Sequence, residues 1–217
     1  MIEEKLLEPT PEGIDTAAEC ILDGGVVVAP SDTNLALTLD PWNEDAIERA
    51  FRIKNREPTD PLTMFIRDPD DWDVWGTIDQ PERVDALVEA FWPGPLNVIV
   101  EKTDEVPDRV VAGGDTVAIG CLGNPVWRDL SAAVDMPLCM TSANLTGQAD
   151  DQLVDLELAM NQVGDRVDYL LEGSAQETTQ SSTIVDLTGD EPSVPRLGDV
   201  TVGELNEVVD IFPTSSV

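Results

Sequence analysis

Short, continuously apolar runs recur along this chain, separated by segments of helical periodicity. Val26-Val27-Val28-Ala29 offers no polar position to turn toward water, so it reads as a strand buried on both faces. Leu62 to Ile66, Leu96 to Val100, Val117 to Cys121, Leu138 to Thr141, Tyr169 to Leu171 and Thr183 to Leu187 read as further strands. Thr10-Pro11-Glu12-Gly13 supplies an N-cap with Pro at the first helical position, and Ile14, Ala17, Ala18, Ile21 and Leu22 then form one apolar face. Gly24-Gly25 stops that helix. Asn43 caps a second helix with Ala46, Ile47, Ala50 and Phe51 on one side. Glu82 to Trp92, Val126 to Val134 and Leu153 to Val163 are helical in pattern, and Thr201-Val202-Gly203-Glu204 is a capping box. Strands that alternate with helices, though not strictly, predict an α/β (α+β) fold: a twisted mixed sheet flanked by helices. Its ligand groove is expected at loops leaving the C-terminal strand ends, here Ser31 to Asn34, Ser142 to Asn144 and the segment around Arg196. A length of 217 residues fits a single domain over 1–217.

Composition removes whole classes of chemistry. There is no His, which excludes a Ser-His or Cys-His pair and a His metal site. Lys plus Arg is 12 against 44 Asp plus Glu, a formal charge of -32, so a broad basic face for nucleic acid is not expected. High charge alone favours disorder, but 41% apolar residues and five Trp favour a folded core. An acidic surface poor in Lys (Lys5, Lys54 and Lys102) over an ordinary core points to a halophile, whose molar salt screens the repulsion. The three Cys lack CxxC spacing and read as reduced intracellular thiols. MIEEKLLEPTPEG has no apolar signal region and no run is long enough to span a membrane, so a cytoplasmic location is expected and Asn144-Leu145-Thr146 is no glycosylation site.

Against this acidic background the cations cluster. Arg49, Arg52, Lys54 and Arg56 fall within eight positions. Arg49 and Arg52 read as partners of Glu48 and Asp45 on a solvated helix face. For Lys54 and Arg56 composition leaves two readings open: an anion site, or cations favouring a helix C-terminus. Small polar loops adjoin the apolar runs at Ser31-Asp32-Thr33, Thr141-Ser142-Ala143-Asn144 and Ser181-Ser182-Thr183. Each is, by itself, ordinary turn and cap chemistry.

Their order carries more. Pro-Ser-Asp-Thr ends a strand, and Lys54-x-Arg56 ends the next helix. Trp92-Pro93-Gly94-Pro95, Ser142-x-Asn144 with Gly147, Ser182-Thr183 and Arg196-x-Gly198 follow. This series resembles the YrdC/YciO/TsaC (Sua/YrdC) family from about residue 14 to 203. The resemblance implies a YrdC-like twisted sheet with a concave groove. It implies synthesis of threonylcarbamoyl-AMP and pyrophosphate from L-threonine, bicarbonate and ATP, with Mg²⁺ assisting. A separate transferase complex would then modify tRNA. Such chemistry uses no residue as acid or base and no protein-held metal; it needs positioning and cations on phosphates.

Carried over residue by residue, Lys54, Arg56, Asn144 and Arg196 would hold ATP, while Thr33, Ser142 and Ser182 would contact the substrate. Trp92-Pro93-Gly94-Pro95 is assigned to packing, and Cys121 is expected to be a buried inert thiol. The departures fall at the other end of the site. The family's Tyr-Gly-Leu is Leu35-Ala36-Leu37 here. Gly120 stands where relatives often place an Arg that would engage the amino-acid carboxylate, and Phe65 stands where longer relatives often have His. The resemblance therefore implies a kept phosphate half and an eroded threonine half. Two functions follow: the synthase, or a divergent paralogue that binds nucleotide or RNA without the full reaction.

Overall fold

The computed structural model describes residues 2–55, 60–148, 153–174 and 178–210. In chain order the strands and helices are β1 (Leu6–Leu7), α1 (Pro11–Leu22), β2 (Val27–Pro30), β3 (Leu35–Leu39), α2 (Glu44–Lys54), β4 (Thr63–Phe65), α3 (Trp72–Trp75), β5 (Gly76–Thr77), α4 (Pro81–Phe91), β6 (Leu96–Lys102), β7 (Thr116–Gly120), α5 (Pro125–Val134), β8 (Leu138–Ser142), α6 (Leu156–Val163), β9 (Tyr169–Leu171), β10 (Thr183–Asp186), β11 (Ser193–Arg196) and α7 (Val202–Asn206). The strands form one mixed, twisted sheet in the order β1-β9-β2-β3-β8-β4-β7-β6-β10-β11, with β5 on β6.

The helix starts follow their caps. Thr10 accepts from the Gly13 amide and Asn43 from the Ala46 amide, each tying down an orphan donor of the first turn. The predicted capping box is present: Thr201 and Glu204 bond each other's backbone amides. α6 begins at Leu156 rather than Leu153, because Asp155 supplies the cap by accepting from the Leu158 amide. Arg49 corrects one expectation. It pairs with Asp168, far along the chain, rather than with a neighbour on its helix, and Glu48 is taken by Arg109.

β3 lies where the sequence pattern predicts no strand. Ser31 Oγ donates to the Asn34 carbonyl at 2.7 Å and accepts from the Asn34 amide at 2.9 Å, so the polar loop reverses the chain. Leu35–Leu39 then pairs antiparallel with β2 and with β8. All five of its residues are buried, so no polar alternation marks it.

Alternation along the strands divides the sheet into two faces. Val28, Leu37, Met64, Val98, Ile119, Cys139 and Val185 share one face with apolar residues of α2, α4 and α6 in the main core. On the other face Val27, Ala29 and Leu138 are covered by α1 and α5. The rest of that second face has a smaller cluster, Ala36, Phe65, Met140, Leu122 and Trp127, in which the Trp127 ring packs edge-on against Phe65 at 6.3 Å. There the sheet is left concave and open.

Candidate functional site

That open part of the sheet is the floor of a cavity of about 420 Å³. Strand register explains its floor. Cross-strand neighbours Phe65, Gly120, Asn97, Ile184 and Arg196 form one row, from β4 through β7, β6 and β10 to β11. Met140, Thr63, Ala118 and Ile99 form the next row. Ser31, Thr33 and Asn34 enter from the β2–β3 loop, Ser142 and Asn144 from the end of β8, and Ser181 and Ser182 from the approach to β10. None of the described lining residues is Asp or Glu, although the chain carries 44 of them; Arg196 is the charged residue among the described lining groups.

The rim is a connected hydrogen-bond network. Asn34 donates to Thr33 Oγ1 at 3.1 Å and to Ser181 Oγ at 3.3 Å, and its Oδ1 accepts from the Val154 amide. Asp32 turns out of the cavity and accepts from the Gly123 and Asn124 amides. Burial pushes its carboxyl up, against those two amides, which lower it. Asp32 thereby ties the loop to the start of α5, whose cap Asn124 donates back to the Ser31 carbonyl.

Lys54 is 4% exposed. Its Nζ donates to the Ser142 carbonyl, to the Asn144 carbonyl at 2.9 Å and to Asn144 Oδ1 at 3.1 Å, and lies 3.3 Å from Ser142 Oγ. Ser142 Oγ in turn donates to Asn144 Oδ1 at 2.6 Å. A buried ammonium must find such acceptors. Lys54 therefore stands behind the Ser142–Asn144 turn and shapes it. Arg56, its partner in the sequence motif, lies outside the described residues.

Arg196 donates from Nε to the Ser182 carbonyl at 2.8 Å. Among the described residues that is its one hydrogen bond, so the terminal N–H fork is open to an anion. Gly198 makes this approach possible, since a Cβ there would lie 2.0 Å from the Ser181 carbonyl oxygen and 2.8 Å from the Thr183 amide nitrogen. The structure thus brings Thr33, Ser142, Asn144, Ser182 and Arg196 to one cavity, with Lys54 immediately behind it.

Sequence reasoning missed Asn97. It follows the Trp92-Pro93-Gly94-Pro95 landmark and reads as an ordinary strand position. In the fold it is 3% exposed, lines the cavity, and its Oδ1 has no hydrogen-bond partner among the described residues. The register with Gly120 and Ile184 puts it on the floor, which no local signal reveals. The structure also shows what has replaced a side chain at Gly120. A Cβ there would meet Asn97 Oδ1 at 2.4 Å and the Phe65 ring at 2.7 Å. No larger residue fits at 120 without moving both.

Burial pushes the Cys121 thiol up to about 11, outweighing the nearby Arg128, which lowers it; a thiol so held is inert at neutral pH. Trp92 is buried with its indole donating to the Leu96 carbonyl at 2.7 Å, a packing role as expected. The described residues contain no group of three or more His, Cys, Asp or Glu placed to hold a metal ion, and no helix long and apolar enough to cross a membrane. The cavity lining suits an anionic ligand: neutral donors, an Arg fork and no competing carboxylate. Any Mg²⁺ accompanying that ligand would find its oxygens on phosphates and water rather than on these walls.

Residues 19–198 match the family model Sua5_yciO_yrdC, described as "Telomere recombination". A putative threonylcarbamoyl-AMP synthase of Mycobacterium tuberculosis is 31% identical over 213 residues, covering 96% of this chain and 94% of the relative. The threonylcarbamoyl-AMP synthase of Pyrococcus abyssi is 29% identical, covering 90% of this chain and 57% of the relative, so the chain spans under two thirds of that protein. Among solved structures, P. abyssi Sua5 complexed with L-threonine superposes with a TM-score of 0.89 at 25% identity, over 96% of this chain and 62% of that one. Escherichia coli YciO superposes with a TM-score of 0.78 at 27% identity, over 90% of this chain and 96% of that one.

Proposed function

Because the chain belongs to the Sua5_yciO_yrdC family, we propose that it is a threonylcarbamoyl-AMP synthase. L-Threonine, bicarbonate and ATP would give threonylcarbamoyl-AMP, pyrophosphate and water. The observation that carries this reading is a cavity whose described lining holds no carboxylate, in a chain of charge -32, rimmed by Thr33, Ser142, Asn144, Ser182 and the open fork of Arg196.

The residues divide the work by their chemistry. The Arg196 fork and Arg56 neutralise phosphate oxygens, which favours attack on the α-phosphate by a carbamate. Lys54 fixes the Ser142–Asn144 turn, so that the Ser142 hydroxyl and Asn144 amide meet nucleotide and amino acid in one geometry. Thr33 and Ser182 hold the amino-acid side of the junction. A Mg²⁺ carried by the nucleotide would supply further charge neutralisation, beside that of Arg196 and Arg56. No step requires a protein acid or base.

The product is a mixed anhydride whose threonylcarbamoyl group passes to tRNA through a separate transferase complex, in the cytoplasm. The -32 charge supports work in concentrated salt, as in a halophilic archaeon. A second reading, a paralogue that binds nucleotide or RNA without the full reaction, is favoured by one observation: the wall at Phe65 and Gly120 is uncharged.

Pyrophosphate release from ATP in molar KCl with Mg²⁺ and bicarbonate separates the two readings. Threonine-dependent release supports the synthase. Nucleotide binding without release supports the paralogue.

A further inference from the structure

Asn97 is a buried amide on the floor of the cavity with one end unused. Its Oδ1 packs over Gly120 beside the Phe65 ring, and no donor reaches it among the described residues. A buried acceptor left unpaired is expensive, because it has given up water and gained no donor. Its terminal torsion is soft and two-fold, so either end of the amide turns into the cavity at little cost. Such a group is poised for a ligand.

The surroundings say which kind. Ile184 and Ile99 flank Asn97 on the floor, and Phe65 covers the far side of Gly120. None of the described lining residues is Asp or Glu, so an ammonium group placed against this part of the floor would find no counter-charge among them. A carboxylate offers acceptors and no donor, so it leaves Oδ1 unpaired. A hydroxyl both donates and accepts, matching the two ends of the amide, and a small apolar substituent beside it would meet Ile184 and Phe65.

We propose that Asn97 is the specificity-determining residue of this cavity: its amide reads the side-chain hydroxyl of the amino-acid substrate, and the apolar flank takes the adjoining methyl group. This rests on the synthase reading and names the group by which that site selects threonine. A site built to bond a hydroxyl rejects the analogue that lacks it far more strongly than an apolar pocket rejects a change of one methyl group. L-Valine, in which a methyl replaces the hydroxyl, is therefore the strongly rejected competitor. L-Serine keeps the hydroxyl and loses only the methyl contact.

The test is calorimetric titration of L-threonine, L-serine and L-valine, in molar KCl with ATP analogue present, into the wild-type chain and two variants. Asn97→Leu keeps the volume and removes the orphan acceptor, and Asn97→Ser keeps a hydrogen-bonding group; melting curves establish that each is folded. The wild type is expected to prefer threonine over valine by at least about 100-fold and over serine by about 10-fold. In Asn97→Leu the threonine–valine ratio collapses to within about 3-fold, and Asn97→Ser keeps part of it.

A ratio unchanged in the folded Asn97→Leu protein would overturn the proposal. So would a uniform loss for threonine and valine, which would place Asn97 at the ammonium or carboxylate they share. A wild-type chain that binds the nucleotide and neither amino acid would overturn the synthase reading with it, and that failure shows in the wild type rather than in the variants.

Discussion

The two ends of the cavity are built differently. At the Ser142–Asn144 end a buried ammonium, a hydroxyl, an amide and two carbonyls satisfy one another within a few ångströms. At the Phe65–Gly120–Asn97 end a glycine is capped by an aromatic ring and by an amide oxygen with no partner among the described residues. A satisfied polar network holds its geometry before any ligand arrives, whereas an unsatisfied one gains by binding. In the proposed reaction the first end is preorganised for a ligand group common to every turnover, and the second end is the one that discriminates between ligands.

Lys54→Met should break the comparison most severely. It removes the ammonium that donates to the carbonyls of Ser142 and Asn144 and to Asn144 Oδ1, at a cost of about 3 kcal/mol in folding free energy. Denaturant titration in molar KCl measures it. A loss below about 0.5 kcal/mol would show that the turn holds without its cation.

Arg196→Ala leaves the fold intact and acts on the ligand. Nucleotide affinity should fall by about 2 kcal/mol, roughly thirty-fold, as expected for charge-assisted bonds. Equal affinity by calorimetry would move the phosphates away from this rim.

Gly120→Ala sharpens the contrast at the other end. Its Cβ would come within 2.4 Å of Asn97 Oδ1 and 2.7 Å of the Phe65 ring. Overpacking of this kind should lower stability by about 1–2 kcal/mol. The double variant Gly120→Ala with Asn97→Ala should recover part of that, because the clash and the orphan acceptor go together. Additive losses would show that Asn97 is not the obstructing group.

The smallest effect concerns Cys121, buried on the same strand end. Its folded pKa is raised to about 11 by burial, against the ordinary thiol value of 9.0. A raised acid disfavours the ionised form in the folded state, so the unfolded chain loses its proton first as pH rises. Stability should therefore be constant below about pH 8.5 and fall by about 1 kcal/mol per pH unit between 9 and 11. Urea titrations at pH 8 and pH 10.5 check this; a Cys121→Ala control should lessen the difference without abolishing it, because burial also raises the Cys20 thiol to about 11 and raises Cys139.

Much of this was legible in the residues. The caps Thr10, Asn43 and Thr201 and the apolar runs placed helices and strands to within a few positions, because a cap or a buried run is a local requirement. The ordered series from Ser31 to Arg196 indicated which polar groups would converge, and Thr33, Ser142, Asn144, Ser182 and Arg196 do share one cavity. β3 escaped notice because both its faces are covered, which leaves no alternation to see. Lys54 reads in sequence either as part of an anion site or as a cation favouring a helix C-terminus; its burial and its bonds to Ser142 and Asn144 appear only in the fold.

What the sequence by itself determined, then, is the set of elements and the chemical types at their ends. These rest on propensities, caps and patterns that act within a few residues. The tertiary structure alone decided which strand residues meet. Asn97, Gly120 and Phe65 lie on three strands, far apart in the chain, and become neighbours through cross-strand register. A shift of one residue in any of those strands would turn its side chain to the opposite face of the sheet. That register, and no local pattern, puts an amide oxygen without a partner among the described residues on the cavity floor, in the place that a residue-120 side chain would otherwise occupy.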